Sequence, residues 1–327
     1  MVNGKMLTVS ASPHVRSTAT TTRIMLDVII ALMPALIASV FFFGPRTLLV
    51  TAVSVTSAIL AEYASRKIMK RHVTIGDLSA IVTGLLLAFN LPSTIPLWIA
   101  ALGSIIAIVV VKQFFGGIGQ NFANPAIVGR IVLLLSFGTY MTSWVAPLSW
   151  QTDAISTATA LATLKNGVVD GLPSLGEMFL GLRAGCIGET SALALLAGGI
   201  YLVLRKVISP AIPLSYIGTV AAAMLIKGKG DPAFLAYELM SGGLLLGAIF
   251  MATDYSTSPI NFKGKIIFGI GCGLITALIR IFAPMAEGVS FSILIMNFLV
   301  PYIEKATIPK PFGTPKKEKK EKEAAKA

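Results

Sequence analysis

The sequence predicts an all-α polytopic membrane protein with about ten transmembrane helices, and three observations lead to this fold class. Of the 327 residues, 55% are hydrophobic and only 13% are charged, and the mean hydropathy is +0.80. Soluble domains carry about twice that charged fraction. Apolar segments of roughly membrane-spanning length also follow one another along the chain, and the lysines and arginines collect in alternate loops.

Ten apolar segments are delimited by the requirement of about 20 residues for a helical span. They cover residues 24–43, 47–66, 76–91, 95–112, 124–141, 189–205, 211–227, 234–253, 264–283 and 288–304. The third segment is short and polar at both ends, which predicts a broken or re-entrant helix. Residues 1–23 are basic and contain no cleavage site, so we expect a cytoplasmic N-terminal segment and no signal peptide.

The distribution of basic residues predicts that both termini lie in the cytoplasm. In that orientation all but six of the 27 lysines and arginines fall on the cytoplasmic side. The six on the outer side are Arg46, Lys165, Arg183, Lys227, Lys229 and Arg280. The loop at 142–188 is then extracytoplasmic, and the Lys- and Glu-rich tail at 305–327 is expected to be disordered. The basic residues form no nucleic-acid-binding motif, so we expect no nucleic-acid partner.

The two halves of the chain resemble each other. A similar pattern of residues occurs in VTGLLLAFNLP at 82–92 and in SGGLLLGAIFMATD at 241–254. Each is followed by a helix, a Gly-containing loop and an Asn/Pro element. Because five helices per half is an odd number, we expect two inverted repeats, 24–141 and 189–304, with a site near the membrane midplane where interrupted helices meet. The alternative is that Gly-rich membrane helices look alike because they share a small alphabet.

Several isolated ionisable residues lie at helix ends or within helices. They are Asp27, Glu62, Arg130, Glu189, Asp254 and Arg280. Charge inside a membrane points to function, but snorkelling or pairing at helix ends explains most of these positions. Cys186 and Cys272 lack metal-site spacing, so the chain alone is not expected to hold zinc or an iron–sulfur cluster. A cysteine shared with a partner subunit remains open.

The segment GGIGQNFANPAIVGR, at 116–130, combines four glycines and two asparagines at the cytoplasmic edge of a helix. Glycines let a planar ligand approach the backbone, and an asparagine amide both donates to and accepts from the edge of a heterocycle. Gly, Asn and Pro are also ordinary residues of a loop before a helix, with Pro125 in the first turn. Taken alone, the segment favours this second interpretation.

The segment TDAISTATALATLKNG, at 152–167, is rich in hydroxyl, acid and amide side chains within an otherwise apolar chain. A short Ala-rich helix capped by Thr152 or Asp153 would account for it, with the other hydroxyls capping backbone groups or facing water. On chemistry alone, this structural interpretation is favoured over a site.

Within this segment, DAISTATALA at 153–162 resembles the flavinylation motif of the RnfD/NqrB family of membrane redox subunits, with Asp153, Ser156, Ala158 and Thr159 at the motif positions. Other blocks are similar to the same family in the same order. They are GGIGQNFANPAIVGR, GCIGETSALA at 185–194, SGGLLLGAIFMATDYSTSP at 241–259 and GKIIFGIGCGLITALIR at 264–280. The resemblance covers nearly the whole chain except the tail, and it implies a fold like that of urea channels.

The resemblance implies covalent FMN on Thr159. In the family, a separate flavin transferase that uses FAD esterifies this hydroxyl to the phosphate of FMN. Ala158 and Ala160 leave room for that enzyme, whereas Thr157 stands where many relatives carry glycine, which leaves its hydroxyl open as the modified one. The family also implies a noncovalent riboflavin near the cytoplasmic side. The matching positions for riboflavin are Gly119, Asn121 and Asn124.

In the length of the region before the first span, residues 1–23, the chain resembles the RnfD branch of the family, because the NqrB branch has a longer region there. That branch implies a subunit of an ion-translocating complex in a bacterial or archaeal cell membrane, which moves electrons between reduced ferredoxin and NAD coupled to transport of Na⁺ or H⁺. Subunits of the A, B, C, E and G types and membrane lipid would be its partners. The alternatives are a subunit of a Na⁺-translocating NADH:quinone reductase and an inverted-repeat channel or carrier for a small polar solute.

Overall fold

The computed structural model describes residues 19–148, 150, 159–165, 172–283 and 287–309, which form an all-α assembly. In chain order, its α-helices are α1 Thr21–Phe43, α2 Arg46–Ile68, α3 Ser79–Phe89, α4 Leu97–Gln113, α5 Pro125–Ser136, α6 Gly138–Met141, α7 Ala160–Lys165, α8 Leu175–Leu180, α9 Ala192–Leu204, α10 Ala211–Lys227, α11 Pro232–Met240, α12 Leu244–Met251, α13 Phe262–Phe282 and α14 Val289–Thr307. The last turns of α4 and of α12 are π-helical.

Each of the ten predicted segments contains helix, which confirms the all-α membrane fold class, but the helices differ in length. Among the described residues, α1, α2, α13 and α14 are long and apolar enough to cross a membrane, and α11 with α12 makes a further such span that is bent by 64°. The other apolar helices, α3, α4, α5, α9 and α10, have 10–17 residues. Ten complete spans, the domain limits and the likeness to urea channels stay predictions.

The limits of the helices follow the local sequence. Before α1, α5 and α11, the side chains of Thr20, Asn124 and Asp231 each accept a hydrogen bond from a backbone N–H of the first turn. Proline occupies the first position of α5 and of α11, where no intrahelical donor is needed. At the end of α1, Gly44 has a φ of 79°, a conformation that favours glycine, and α2 begins two residues later.

Two of the predicted segments are short or interrupted. The third segment is the 11-residue helix α3, which ends at the buried Asn90, so its predicted shortness is confirmed, and a broken or re-entrant path through the membrane stays a prediction. The eighth segment, predicted over 234–253 without a break assigned to it, is interrupted. Residues Ser241, Gly242 and Gly243 separate α11 from α12, because Ser241 is extended and Gly242 has a φ of 66°, and neither conformation continues an α-helix.

The packing of the helices follows the predicted repeat. In the first half α2 packs against α3 and α4, and α4 packs against α5; in the second half α10 packs against α11, α12 and α13, and α13 packs against α14. The halves meet through α1 with α9 and through α5 with α14, which are the first and last helices of the two repeats. Equivalent helices meet each other when a pseudo-two-fold axis relates two repeats.

Glycines allow the closest contacts between these helices. A Cβ on Gly198 of α9 would overlap the backbone oxygen of Ala31 in α1, and a Cβ on Gly84 of α3 would lie 2.8 Å from the Cα of Val55 in α2. Small residues are typical of helix interfaces in membranes because they let backbones approach. The α1–α9 contact therefore depends on glycine at position 198.

Candidate functional site

A cavity opens between the start of α1, α3, the π-helical end of α4, the start of α5 and the turn that follows α12. We call it the inner cavity. The empty space that it encloses, together with the open space at its mouth, is about 760 Å³. Most of its wall is apolar. Its polar lining residues are Ser79, Thr83, Lys112, Asn121, Asn124, Thr253, Asp254, Tyr255 and Ser256.

The two asparagines predicted from the glycine-rich segment both line the inner cavity, but their amides are used differently. In Asn124, Oδ1 accepts hydrogen bonds from the N–H groups of Ala126 at 3.0 Å and Ile127 at 3.4 Å, and Nδ2 donates to the carbonyl of Met251 at 3.2 Å. In Asn121, Oδ1 is buried and has no partner among the described residues. Because buried polar atoms nearly always have a partner, Asn121 is the better candidate to bind a ligand.

Gly119 precedes these asparagines and does not line the inner cavity. It has a φ of 84°, and a Cβ at this position would meet no atom within 4 Å. The glycine is therefore explained by the backbone conformation of the turn, and its position gives no support for close approach of a planar ligand.

Lys112 brings a buried positive charge to the wall of the inner cavity. Its Nζ donates to Oε2 of Glu62 at 2.7 Å and to Oγ of Ser79 at 2.5 Å, while Oε1 of Glu62 accepts from the hydroxyl of Thr74 at 2.7 Å. The Lys112 and Glu62 side chains are 2% and 0% exposed. Sequence reasoning counted Lys112 only as a topology signal. The signal that could have revealed this pair was a lone acid and a lone lysine in two apolar helices of one repeat.

Asp254 and Tyr255 form the edge of the inner cavity after α12. Burial raises the pKa of Asp254 above its usual value, and hydrogen bonds from Ser256 and Thr257 partly oppose that shift. Burial together with the nearby charges of Asp254 and Asp77 raises the pKa of Tyr255 to about 12. Tyr255 therefore stays a neutral phenol, with an aromatic face and a hydroxyl donor at the cavity.

Thr159 lies at the start of α7, far along the chain from the inner cavity. Its hydroxyl accepts a hydrogen bond from the N–H of Ala162 at 3.3 Å, and its carbonyl accepts from the same N–H at 2.9 Å. Thr159 is thus the N-cap of the short helix, a role that the sequence assigned to Thr152 or Asp153. The side chain is half-buried. Asp153 and Ser156 lie outside the described residues.

Helix α7 is anchored on the second half of the protein. Leu161 and Leu164 are buried, and Leu161 packs against Gly242, where a Cβ would lie 3.1 Å from its side chain. At the other end of the helix, Nζ of Lys165 donates to the carbonyl of Ala283, just after α13. The helix that carries Thr159 therefore rests on the bend between α11 and α12.

Two charged side chains satisfy the backbone at this bend. Arg280 donates to the carbonyls of Glu238 at 2.7 Å and Ser241 at 3.0 Å, and it also pairs with the Glu238 carboxylate at 3.1 Å. From the other side, the carboxylate of Glu287 accepts a hydrogen bond from the N–H of Gly243 at 2.7 Å. Interrupted membrane helices need such partners because lipid offers none.

Arg130 of α5 joins the bend to the end of α3. Its guanidinium pairs with Glu287 and donates to Oδ1 of Asn90 at 2.8 Å and to the hydroxyl of Ser290 at 3.0 Å. The residue is only 5% exposed. Arg130 was counted among the cytoplasmic charges; its side chain is buried among α3, α5 and α14 and does not lie in a loop, and the side of the membrane on which it lies stays a prediction.

The loop before α9 pairs with the end of α3. Backbone N–H groups of Ile187 and Gly188 donate to the carbonyls of Leu91 and Phe89, both at 2.9 Å. The buried Cys186 donates its thiol to the carbonyl of Asn90 at 3.3 Å. Cys186 and Cys272 are both free and buried.

Most of the isolated ionisable residues found in the sequence have partners, as the pairing interpretation predicts. Asp27 accepts from the hydroxyl of Tyr201 at 2.9 Å and pairs with Arg205 at 3.3 Å. In Glu189, Oε1 accepts from the N–H of Cys186 at 3.0 Å, while Oε2 is buried without a partner among the described residues. Pairing at helix ends therefore accounts for these charges more economically than a chain of proton carriers.

Thr159 and the inner cavity lie at opposite ends of α13. Lys165 of the Thr159 helix contacts Ala283, directly after α13, whereas Asp254 and Tyr255 of the inner cavity precede its first residue, Phe262. A helix of 21 residues is about 30 Å long, which is the thickness of the hydrocarbon core. The helix that carries Thr159 is thus held at the last residues of α13, and the turn that edges the inner cavity leads into its first residues.

Comparisons with known proteins give relatives over the whole length of the chain. The D-type component of the Na⁺-translocating ferredoxin:NAD⁺ oxidoreductase complex of Acetobacterium woodii is 48% identical over 98% of this chain and 100% of its own. The D-type component of the proton-translocating ferredoxin:NAD⁺ oxidoreductase complex of Clostridium ljungdahlii is 43% identical over 96% of this chain and 98% of its own.

A more distant relative is similar over almost the same length. The D-type component of the ion-translocating oxidoreductase complex of Escherichia coli K12 is 36% identical over 93% of this chain and 98% of its own. The family model described as NQR2, RnfD, RnfE matches residues 8–313. The match covers all described helices, and the chain therefore belongs to the NQR2, RnfD and RnfE family.

Proposed function

We propose that the chain is the flavin-carrying membrane subunit of an ion-translocating ferredoxin:NAD⁺ oxidoreductase of the Rnf type. It would carry FMN covalently on Thr159 and riboflavin in the inner cavity, and take part in electron transfer coupled to transport of Na⁺ or H⁺. The observation that carries the proposal is the 48% identity, over the full length of both chains, to the D-type component of such a complex. The other subunits of the complex would be its partners.

The surroundings of Thr159 support it as an attachment point. Its hydroxyl is half-buried at the start of a helix that is fixed to the bend between α11 and α12, and it donates to no acceptor among the described residues. In the proposed maturation, a flavin transferase joins Thr159 Oγ1 to the FMN phosphorus of FAD, the bond between the two phosphates of FAD breaks, and AMP leaves. Asp153 and Ser156 belong to the motif that this transferase would recognise.

The chemistry of the inner cavity suits an isoalloxazine ring. Its apolar wall and the phenol of Tyr255 suit the aromatic face of the ring, and the unpaired Oδ1 of Asn121 suits a ring N–H donor. Lys112 lines the cavity as one half of a buried ion pair with Glu62, so it adds a polar group and no net positive charge to the wall. A bound flavin supplies the one- and two-electron chemistry that no amino-acid side chain here provides.

The alternatives receive less support. Two of the relatives named above are ferredoxin:NAD⁺ oxidoreductase subunits, which favours this complex over an NADH:quinone reductase. Against a channel or carrier for a small solute, the described helices bury the ion pairs of Lys112 with Glu62 and of Arg130 with Glu287. A pathway for a neutral solute does not need buried charges.

Replacement of Thr159 by alanine should abolish covalent FMN and leave the membrane helices intact. The change removes the acceptor oxygen and one N-cap hydrogen bond, which is worth about 1 kcal/mol. Thr163→Ala is the matched control, because Thr163 lies one turn later in the same short helix. Intact-mass measurement of chains made together with the flavin transferase decides the assignment. An FMN-sized adduct on the Thr159→Ala chain, or an unmodified wild-type chain, would overturn it.

The orientation proposed from the basic residues places Thr159 outside the cytoplasm and both termini inside. A reporter that is active only in the cytoplasm should therefore be inactive when fused after Lys165 and active when fused after Pro309. The wild-type chain with a reporter at its own C-terminus serves as the reference. Equal activity of the two fusions would contradict the proposed number of membrane crossings between them.

Replacement of Asn121 by leucine should release riboflavin and spare covalent FMN. The loss of its amide leaves a polar ring atom unpaired, which costs about 1–3 kcal/mol and weakens binding roughly tenfold to hundredfold. Because Oδ1 of Asn121 has no partner among the described residues, the fold should be unaffected, unlike in Asn124→Leu, which also removes the cap of α5. Gln120→Leu, an exposed neighbour, is the control.

The measurement for this variant is separate quantification of extractable and protein-bound flavin after acid precipitation. We expect extractable riboflavin to fall in Asn121→Leu and to stay complete in Gln120→Leu, with protein-bound FMN equal in both. A full complement of extractable riboflavin in Asn121→Leu would exclude this part of the cavity as the flavin site.

A further inference from the structure

A second, smaller pocket lies beside the inner cavity, where α9 ends and α10 and α13 begin. We call it the headgroup pocket. Its volume is about 500 Å³, and it is lined by Val207, Ile208, Ser209, Ile212, Thr253, Tyr255, Ser258, Pro259, Ile260 and Lys265. Because helices end or begin here, the pocket lies at the level where membrane spans leave the hydrocarbon.

The polar groups of the headgroup pocket suit an anion. Lys265 has no acidic partner within salt-bridge distance among the described residues. Ser258 is only 8% exposed, lines the pocket, and makes no hydrogen bond through its hydroxyl to the described residues. A nearly buried serine that lines a pocket and has a hydroxyl without a partner among the described residues can donate a hydrogen bond to a molecule bound there.

Two helix N-termini add backbone donors to this pocket. Neither α10 nor α13 has a side-chain cap from its N-cap residue, Pro210 or Asn261, and the first N–H of α10 is held only by Ser209 Oγ at 3.4 Å. Free N–H groups and the helix dipole attract anions. The N–H of Ile260, just before α13, is not available to a ligand because it donates to the carboxylate of Glu304 at 3.1 Å.

An open apolar groove continues from this pocket along α9 and α10. Its volume is about 650 Å³, and it is lined by Leu196, Gly199, Ile200, Val203, Leu204, Ile208, Pro210, Pro213, Leu214, Ile217 and Ile249. Ile208 belongs to both the groove and the headgroup pocket. Ile200, Leu204 and Leu214 are exposed on its rim, so the groove opens on the outer surface of the helices, where lipid chains lie.

We propose that the headgroup pocket and the groove together bind one acidic phospholipid. The phosphate would lie against Lys265, Ser258 and the start of α10, and one acyl chain would follow the groove between α9 and α10. An amphiphile with an anionic head is the occupant that both parts fit, because the polar and apolar parts share a wall at Ile208. The surplus of basic residues assigns this end of the helices to the cytoplasmic side, where anionic lipids are attracted by lysine and arginine.

The test is a lipid-binding titration of the full chain in mild detergent, with bound lipid counted by native mass spectrometry. The probes are phosphatidylglycerol, phosphatidylcholine with the same acyl chains, and glycerol 3-phosphate as the headgroup without chains. We expect one tightly retained phosphatidylglycerol, with weaker binding of both other probes.

Variants of the two parts separate their contributions. Lys265→Gln should weaken phosphatidylglycerol binding roughly fivefold to tenfold, since one lysine at a membrane surface contributes about that factor. Lys263→Gln, on the exposed side of the same helix turn, should bind as the wild type does. Leu214→Trp should also weaken binding by filling the groove, whereas Leu225→Trp, exposed farther along α10, should not.

Several outcomes would overturn the proposal. Equal retention of phosphatidylglycerol and phosphatidylcholine would mean that the groove binds chains without recognising an anion. Binding of glycerol 3-phosphate as tight as that of phosphatidylglycerol, with no effect of Leu214→Trp, would mean a phosphate site and not a lipid site. Unchanged binding in Lys265→Gln would show that the headgroup pocket does not bind the lipid phosphate. Cross-linking of Leu214→Cys to another subunit in the intact complex, with no lipid retained, would identify a protein helix as the occupant of the groove.

Discussion

A helix that breaks inside a membrane exposes backbone N–H and C=O groups that lipid cannot satisfy, and this structure is built around two such breaks. At the bend formed by residues 241–243, Arg280 satisfies carbonyls at the end of α11 and Glu287 satisfies an N–H at the start of α12. At the end of α3, the loop at 186–188 supplies the missing donors. Each break is thus closed by groups that come from a different part of the chain.

Arg130 connects the two breaks, because it bonds both Asn90 at the end of α3 and Glu287 at the bend. A buried arginine is costly in a membrane, and here its hydrogen bonds offset that cost. The bend also supports the helix that carries Thr159, while the π-helical end of α12 forms part of the inner cavity. The interrupted helix formed by α11 and α12 therefore contacts both places that we propose for flavin. Its bend supports the Thr159 helix, and its π-helical end lines the inner cavity.

The sequence predicts the helices well and the polar interior poorly. Hydrophobic runs mark all ten segments because burial in lipid requires continuous apolar surface, and Asn124 with Pro125 marks the start of α5. The bend at 241–243 was missed because glycines are tolerated within membrane helices. Lys112 and Arg130 were taken for topology signals because charge counting assumes that a basic residue lies in a loop. Thr159 was identified by resemblance alone, since a threonine that caps a short helix looks the same with or without a cofactor.

The most direct test of this account is whether Arg280 holds the interrupted helix in place. Arg280 and Lys227 both approach the carboxylate of Glu238, at 3.1 and 3.8 Å, but only Arg280 contacts backbone carbonyls. Hydrogen–deuterium exchange of the purified full chain should therefore show faster exchange across residues 238–246 and 160–165 in Arg280→Met, and no change there in Lys227→Met. Equal protection in wild type and Arg280→Met, or the same increase in Lys227→Met, would show that the bend does not depend on these backbone hydrogen bonds.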